Sequence, residues 1–175
     1  QDRGGKSFTP MSYCPEKKTW VPKAWPGDRP LFHEQRLKGS EKPVLITEGE
    51  KSCMAGENKI EFTDYNIVTW SGGSNQVHQT NFKHLKNKEV ILWPDNDDQG
   101  IKAMVEVAIT LLEKDITEKI KFIEPNFLDL MPKGWDIADP IPEEVENEGL
   151  TLGGMLNTAK EFNPDNYKKV INKIR

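Results

Sequence analysis

Between residues 44 and 123 the apolar positions fall into short runs separated by stretches with helical spacing. Val44-Leu45-Ile46-Thr47, Asn66–Trp70, Glu89–Trp93 and Lys119–Ile123 carry the runs. Segments of this length predict strands, and the unbroken runs at 44–47 and 90–93 predict strands buried on both faces. Between them, Glu50–Lys59 offers Cys53, Met54 and Ala55 to an inner helix face, and Val77–Leu85 reads as the next helix. Ile101–Glu113 has the clearest helical period. Its Ile101, Met104, Val105, Ala108, Ile109 and Leu112 recur at three- and four-residue steps. Alternating strands and helices predict βαβ units. The expected fold class is α/β, a largely parallel sheet of about four strands flanked by helices, preceded by a small basic strand-containing subdomain.

The flanks are patterned differently. Residues 1–43 are rich in Pro, Gly, Trp and Lys. Lys6–Tyr13 and Lys18–Val21 predict a hairpin turned at Pro15-Glu16-Lys17. Pro22, Pro26-Gly27 and Pro30 break the next stretch, and Leu31–Leu37 reads as a short helix. Gly134–Leu150 holds six acids and no base, which predicts an exposed loop with a short helix. Thr151–Phe162 and Asp165–Ile174 read as helices, the second opened by Asn163-Pro164-Asp165. The expected organisation is an incomplete basic subdomain over 1–42, an α/β domain over 43–140 and a helical extension over 141–175.

Charge refines this picture. The 24 Lys/Arg against 28 Asp/Glu leave −4, which argues against a generic polyanion binder. Residues 1–43, however, hold nine Lys/Arg and five Asp/Glu, so they carry about +4 and the remainder about −8. Such asymmetry suits a nucleic-acid-facing segment on a metal-bearing core, and equally an ordinary solvated surface. Cys14 and Cys53 form neither a CxxC pair nor a zinc signature, so free thiols in a reducing compartment are expected. No apolar run approaches the roughly twenty residues that span a bilayer, and no secretion leader is visible. The expected location is the cytoplasm of a bacterial or phage-infected cell or an organellar matrix, not the secreted fraction, with no membrane partner. The chain opens at Gln1 and reads as a piece of a longer protein.

Two of the apolar runs end in acids. The first is followed by Glu48-Gly49-Glu50, the other by Asp95-Asn96-Asp97-Asp98-Gln99-Gly100. Parallel strands would bring both endings to the carboxyl edge of the sheet, where open α/β sheets hold ligands. Asp95 and Asp97, two apart, share a side in extended backbone. Clustered carboxylates repel, and a hard divalent cation relieves the repulsion. Structural readings stand beside this one: Glu48-Gly49 as a turn, and Asp-x-Asp-x-x-Gly as a helix cap with Asp98 near the helix start. Ser71-Gly72-Gly73-Ser74 could seat an anion on its backbone amides, or be a tight turn capped by Ser74. It lacks a Walker lysine. Lys17, Lys18, Lys23, Arg29 and Arg36 lie among Trp20, Trp25 and Phe32, a mixture that suits single-stranded nucleic acid or nucleotide phosphates. Singly, each is an ordinary surface charge. Trp70 and Trp93 read as core, and His33, His78 and His84 lack zinc spacing.

Leu45-Ile46-Thr47-Glu48-Gly49-Glu50-Lys51-Ser52, Ser71-Gly72-Gly73 and Trp93-Pro94-Asp95-Asn96-Asp97-Asp98-Gln99-Gly100, in this order, resemble the Toprim domain of DNA primases, type IA and II topoisomerases and certain nucleases. The resemblance covers about residues 43–140. It implies that Glu48 is the Toprim glutamate, Asp95 and Asp97 the paired aspartates, and Gly49 and Gly100 the structural glycines, with Mg²⁺ or Mn²⁺ as cofactor. Glu48-Gly49-Glu50-Lys51, Lys133-Gly134-Trp135-Asp136-Ile137-Ala138-Asp139 and the segment from Trp20 to Phe32 are similar to primase domains of phage, plasmid and mitochondrial primase-helicases. That similarity implies Asp136 as a further metal ligand. It also implies phosphate or nucleic-acid contacts from Lys23 and Arg29. On the residues alone, Lys51 could approach a metal-bound phosphate or equally be a plain helix-surface lysine, and Gly72 and Gly73 belong to the loop whose amides could seat an anion. The implied activity is nucleotidyl transfer that builds RNA primers from nucleoside triphosphates on a single-stranded DNA template. A helicase would lie in the same chain or act in trans. A Toprim nuclease and a non-catalytic DNA-binding scaffold are the alternatives.

Overall fold

The computed structural model describes residue 9 and residues 11–23, 25, 27–123 and 130–174. Strands β1 (Met11–Cys14) and β2 (Thr19–Pro22) form a separate antiparallel hairpin. Residues 6–8 and 10 of the expected first strand lie outside the described residues. Next come β3 (Val44–Thr47), α1 (Gly49–Glu57), β4 (Asn66–Val68), β5 (Val90–Trp93), α2 (Asp98–Glu113) and β6 (Ile120–Phe122). Helices α3 (Glu143–Asn147) and α4 (Leu152–Asn157), strand β7 (Lys160–Glu161) and helix α5 (Lys168–Ile174) complete the chain.

The second sheet has the order β4-β3-β5-β6-β7. Its first four strands are parallel, as the buried apolar runs predict, and β7 adds an antiparallel edge. Every residue of β3, β4 and β5 is buried. Alternation sorts their side chains into two cores. Val44, Ile46, Val90 and Leu92 face α2, where Met104, Ala108 and Leu111 pack against them. Leu45, Ile67, Ile91 and Trp93 face the opposite layer with Cys53, Phe62, Trp135, Ile137 and Met155.

Several elements differ from expectation. Val77–Leu85 is not one helix but parts of two 3₁₀ turns, Ser74–Gln79 and Lys83–Leu85. The chain is extended at Thr80, which bridges Arg29, and Arg29 N donates to Gln79 O (2.6 Å) while Asn81 N donates to Arg29 O (2.8 Å). A distant segment thus claims the backbone groups that a helix would need. Thr151–Phe162 stops being helical at Asn157, because Lys160 and Glu161 pair with Phe122 and Lys121. Gly134–Leu150 includes the short α3, but it is no exposed loop: Trp135, Ile137 and Val145 are buried. Leu31–Leu37 ends in a 3₁₀ turn (Glu34–Leu37), and a further one, Pro164–Tyr167, precedes α5. Phe32 bridges Thr69 just beyond β4, and Leu31 and Leu37 enter the α2-side core, so residues 29–37 pack as part of the α/β unit.

Candidate metal centre

The strand order fixes where a site can form. From β3 the chain moves to β4 on one side, and β5 then lies on the other side of β3 and leads on to β6. The order therefore reverses between β3 and β5, and the crevice beyond their carboxyl ends is where open α/β sheets bind ligands. Glu48 follows β3 directly, and Asp95 and Asp97 follow β5 within four residues of Trp93.

Each acid is placed by a separate local device. Glu48 is the N-cap residue of α1, and the next amide, Gly49 N, donates to Thr69 Oγ1 (3.0 Å), tying the turn to the end of β4. Asp97 caps α2, its carboxylate accepting from Gly100 N (2.7 Å). The cap reading of this motif is thus correct for Asp97 rather than Asp98. Asp95 lies against Gly100 so closely that a Cβ there would sit 2.6 Å from Asp95 O and 2.9 Å from Asp95 N. Glycine is the residue that lets the turn fold back on the helix.

Asp136 arrives through Asn96. Asn96 N donates to Trp135 O (2.9 Å) and Gly134 N donates to Asn96 O (2.8 Å), while Asn96 Nδ2 donates to Met131 O (2.8 Å) and Pro132 O (3.0 Å). This short ladder holds residues 131–136 against the Asp95–Asp97 turn. Asn96 has no place in the sequence reading; its position between the two aspartates was the available signal. Lys51 Nζ bridges Asp136 Oδ2 (3.0 Å) and Asp139 Oδ1 (3.2 Å) from α1. A hydrogen bond from the Asp136 amide, and those of Lys51, hold the Asp139 carboxyl below its usual range.

The electrostatics record the crowding. Burial pushes the Glu48 carboxyl up to about 7, with repulsion from Asp97 adding to it. Asp95 is raised to about 8, chiefly by burial, then by Glu48, Asp136 and Asp97, with Lys51 opposing. Glu48 Oε2 is buried and has no hydrogen-bond partner among the described residues. An oxygen-only donor set that is short of positive charge, with one orphaned carboxylate oxygen, fits a hard divalent cation such as Mg²⁺ or Mn²⁺.

A tighter group of metal-type donors lies elsewhere. Among the described residues, His33, Cys53 and Glu57 place ligand atoms within 4.8 Å of one another, and the acids at the crevice form no such tight group. Those three are already satisfied as an internal network. His33 Nδ1 and Arg36 Nη1 both bind Glu57 Oε1, the second at 3.0 Å, and the Cys53 thiol donates to Ile67 O (3.5 Å). Burial pushes that thiol up to about 12, and Arg36 supplies the local cation, so the cluster suits structure better than metal.

The Ser71–Ser74 loop is no helix-dipole anion seat. It opens only a 3₁₀ turn, Ser74 is not its cap, and two of its carbonyls accept from side chains: Ser71 O from Arg29 Nη1 (3.3 Å) and Gly73 O from Trp70 Nε1 (2.9 Å). Positive charge comes instead from Arg29, whose guanidinium lies 2.4 Å from where a Cβ of residue 72 would be; Gly72, at φ +99°, leaves it room. Lys23 follows the hairpin, exposed, and among the described residues no hydrogen bond or ion pair joins it to the acids. A cleft of about 400 Å³, walled by Thr80, Phe82, Lys86 and Ile116 among others, lies toward the amino ends of β5 and β6 and holds none of them.

The parallel sheet with acids at its switch point defines a Rossmannoid domain with a candidate cation site. Residues 45–131 match the Toprim-like family, and the chain carries a Toprim-like domain. No curated protein matches the chain. Among solved structures it is similar to the primase domain of a bacteriophage T7 assembly, in which the lagging-strand DNA polymerase interacts with the primase domains of two gp4 subunits bound to an RNA/DNA hybrid and dTTP. That match has a TM-score of 0.56 at 17% identity, over 93% of this chain and 76% of the other. At such identity the likeness is one of fold. No helix among the described residues is long and apolar enough to cross a membrane.

Proposed function

We propose that the chain is the nucleotidyltransferase core of a DNA primase that lays RNA primers on single-stranded DNA, a piece of a primase-helicase. The observation that carries this is the meeting of Glu48, Asp95 and Asp97 at the β3–β5 switch point of a Toprim-like domain. Glu48, Asp95, Asp97 and Asp136 would hold Mg²⁺ or Mn²⁺. Such a cation supplies charge stabilisation at a reacting phosphoryl group. The chain's own residues bind and orient. Arg29 over Gly72, with Gly73 beside it, offers a cation to a triphosphate at the crevice side of β4. Lys51 keeps Asp136 in place and holds an ammonium beside the acids. Lys23, just past the hairpin, would offer a further cation to the template. In the reaction, the 3′-hydroxyl oxygen of the growing strand gives up its proton to solvent and bonds to the α-phosphorus of the incoming nucleotide, and the bond from that phosphorus to the departing pyrophosphate breaks. The helicase partner would act in the same chain or in trans.

The test is template-dependent synthesis. The whole chain, given single-stranded DNA, labelled nucleoside triphosphates and Mn²⁺, should make short oligoribonucleotides. The double variant Asp95→Asn, Asp97→Asn should make none. Asn caps helices as well as Asp, so the fold should survive the change. Synthesis by the double variant would overturn the reading. Degradation of labelled DNA without synthesis would replace it with a nuclease.

A further inference from the structure

The β1–β2 hairpin puts its largest side chains into solvent. Tyr13 is 51% exposed, Trp20 63% and Met11 49%. The register pairs Tyr13 with Trp20 and Met11 with Pro22, so all four share one face. The Tyr13 and Trp20 rings meet edge to face at 5.7 Å. Ser12, Cys14 and Val21, half-buried, point the other way. A two-stranded ribbon alone is marginal in water, and aromatic rings bury the most area of any side chain. A ribbon that turns its aromatic face outward gives up its best source of stability, which marks the face for a partner.

The partner's chemistry follows from what frames the rings. Lys17 and Lys18 form the turn and Lys23 follows β2, in the segment that carries +4 on a chain of −4. A second copy would bring these lysines against their equivalents, and lysine is depleted at protein interfaces. Rings that need π-faces and lysines that need anions are both satisfied by unpaired bases on a phosphate backbone. Duplex DNA hides its base faces.

We propose that the Met11–Pro22 hairpin is a stacking platform for single-stranded DNA, with bases on Tyr13 and Trp20 and phosphates on Lys17, Lys18 and Lys23. The choice of DNA over RNA rests on the primase reading; the platform itself does not. Fluorescence anisotropy of a labelled oligothymidylate of about a dozen nucleotides, with the whole chain, tests it. Trp20→Leu and Tyr13→Leu should each weaken binding about tenfold or more, and Tyr13→Phe should keep it. Replacing the three lysines by Gln should flatten the salt dependence of log K by about 2. Far-UV circular dichroism and Mn²⁺ affinity of the same variants establish that they are folded. Unchanged DNA affinity in folded Trp20→Leu overturns the platform. Tighter binding of an oligouridylate of equal length overturns the choice of DNA, and a dimer abolished by Trp20→Leu would make the face a self-association surface instead. Loss of the primase reading would show separately, as synthesis that survives Asp95→Asn, Asp97→Asn.

Discussion

Replacing Asp95 by Asn should stabilise the metal-free protein at alkaline pH and abolish divalent-cation binding. The Asp95 carboxyl moves from 3.8 to about 8 on folding, chiefly through burial and then through Glu48, Asp136 and Asp97. Between those pH values the native state keeps a proton that the unfolded chain has lost. Unfolding free energy therefore falls as pH rises through the window. Below 3.8 the group is neutral in both states and costs nothing; above about 8 the whole penalty is present. Each pH unit is worth about 1.4 kcal/mol, but the residue is only half-buried, and solvent screening reduces the sum to on the order of 2 kcal/mol. Asn keeps the volume and removes the charge. It should return about 2 kcal/mol near pH 8.5, a rise in Tm of about 4–8 °C for a chain of this size, and only a small part of that near pH 4. With saturating Mn²⁺ the order reverses, because only the wild-type chain gains binding free energy. Thermal unfolding in EDTA at both pH values, followed by calorimetric Mn²⁺ titration, checks all three. Equal shifts at the two pH values, or a lower Tm near pH 8.5, would refute the argument that charge at Asp95 is held against the fold.

Gly100→Ala should lower stability by about 1–3 kcal/mol and weaken Mn²⁺ binding together, since the new Cβ meets the Asp95 backbone; a denaturant melt and a Mn²⁺ titration report the two effects. Asn96→Ala removes the donors to Met131 O and Pro132 O. It should cost about 1–2 kcal/mol and release Asp136, seen as weaker Mn²⁺ binding with Glu48, Asp95 and Asp97 intact. Cys14 is partly exposed and Cys53 is buried with its thiol at about 12; a thiol reagent near pH 8 should therefore titrate one cysteine in the native protein and both in denaturant.

What the sequence discloses depends on how local the cause is. Val44–Thr47 and Val90–Trp93 declare themselves because burial on both faces demands unbroken apolar residues. The acids after them are legible for the same reason: a strand that must end at the sheet edge delivers whatever follows it. The segment from Ser74 to Leu85 has helical residues, but Arg29, far earlier in the chain, takes the backbone groups around Thr80. Lys160 and Glu161 become a strand only because β6 offers them an edge. The acid-rich stretch after Gly134 hides Trp135, Ile137 and Val145 at irregular spacing, so no period betrays their burial. Asn96 works through its amide and backbone on residues 131–135, a partnership that composition does not encode.

The strap from Arg29 to Leu37 also decides where the domain can be cut. A cut at residue 43 would retain every strand of the main sheet. It would also strip Leu31 and Leu37 from one core, Phe32 from the outer edge beyond β4 and Arg29 from the Gly72 loop. The natural seam for exchanging modules therefore lies upstream, near Gly27, where the hairpin's own sheet has ended and the strap has not begun. Upstream of that seam a segment can be exchanged without opening either core; downstream of it, any exchange removes side chains that a core or the Gly72 loop depends on.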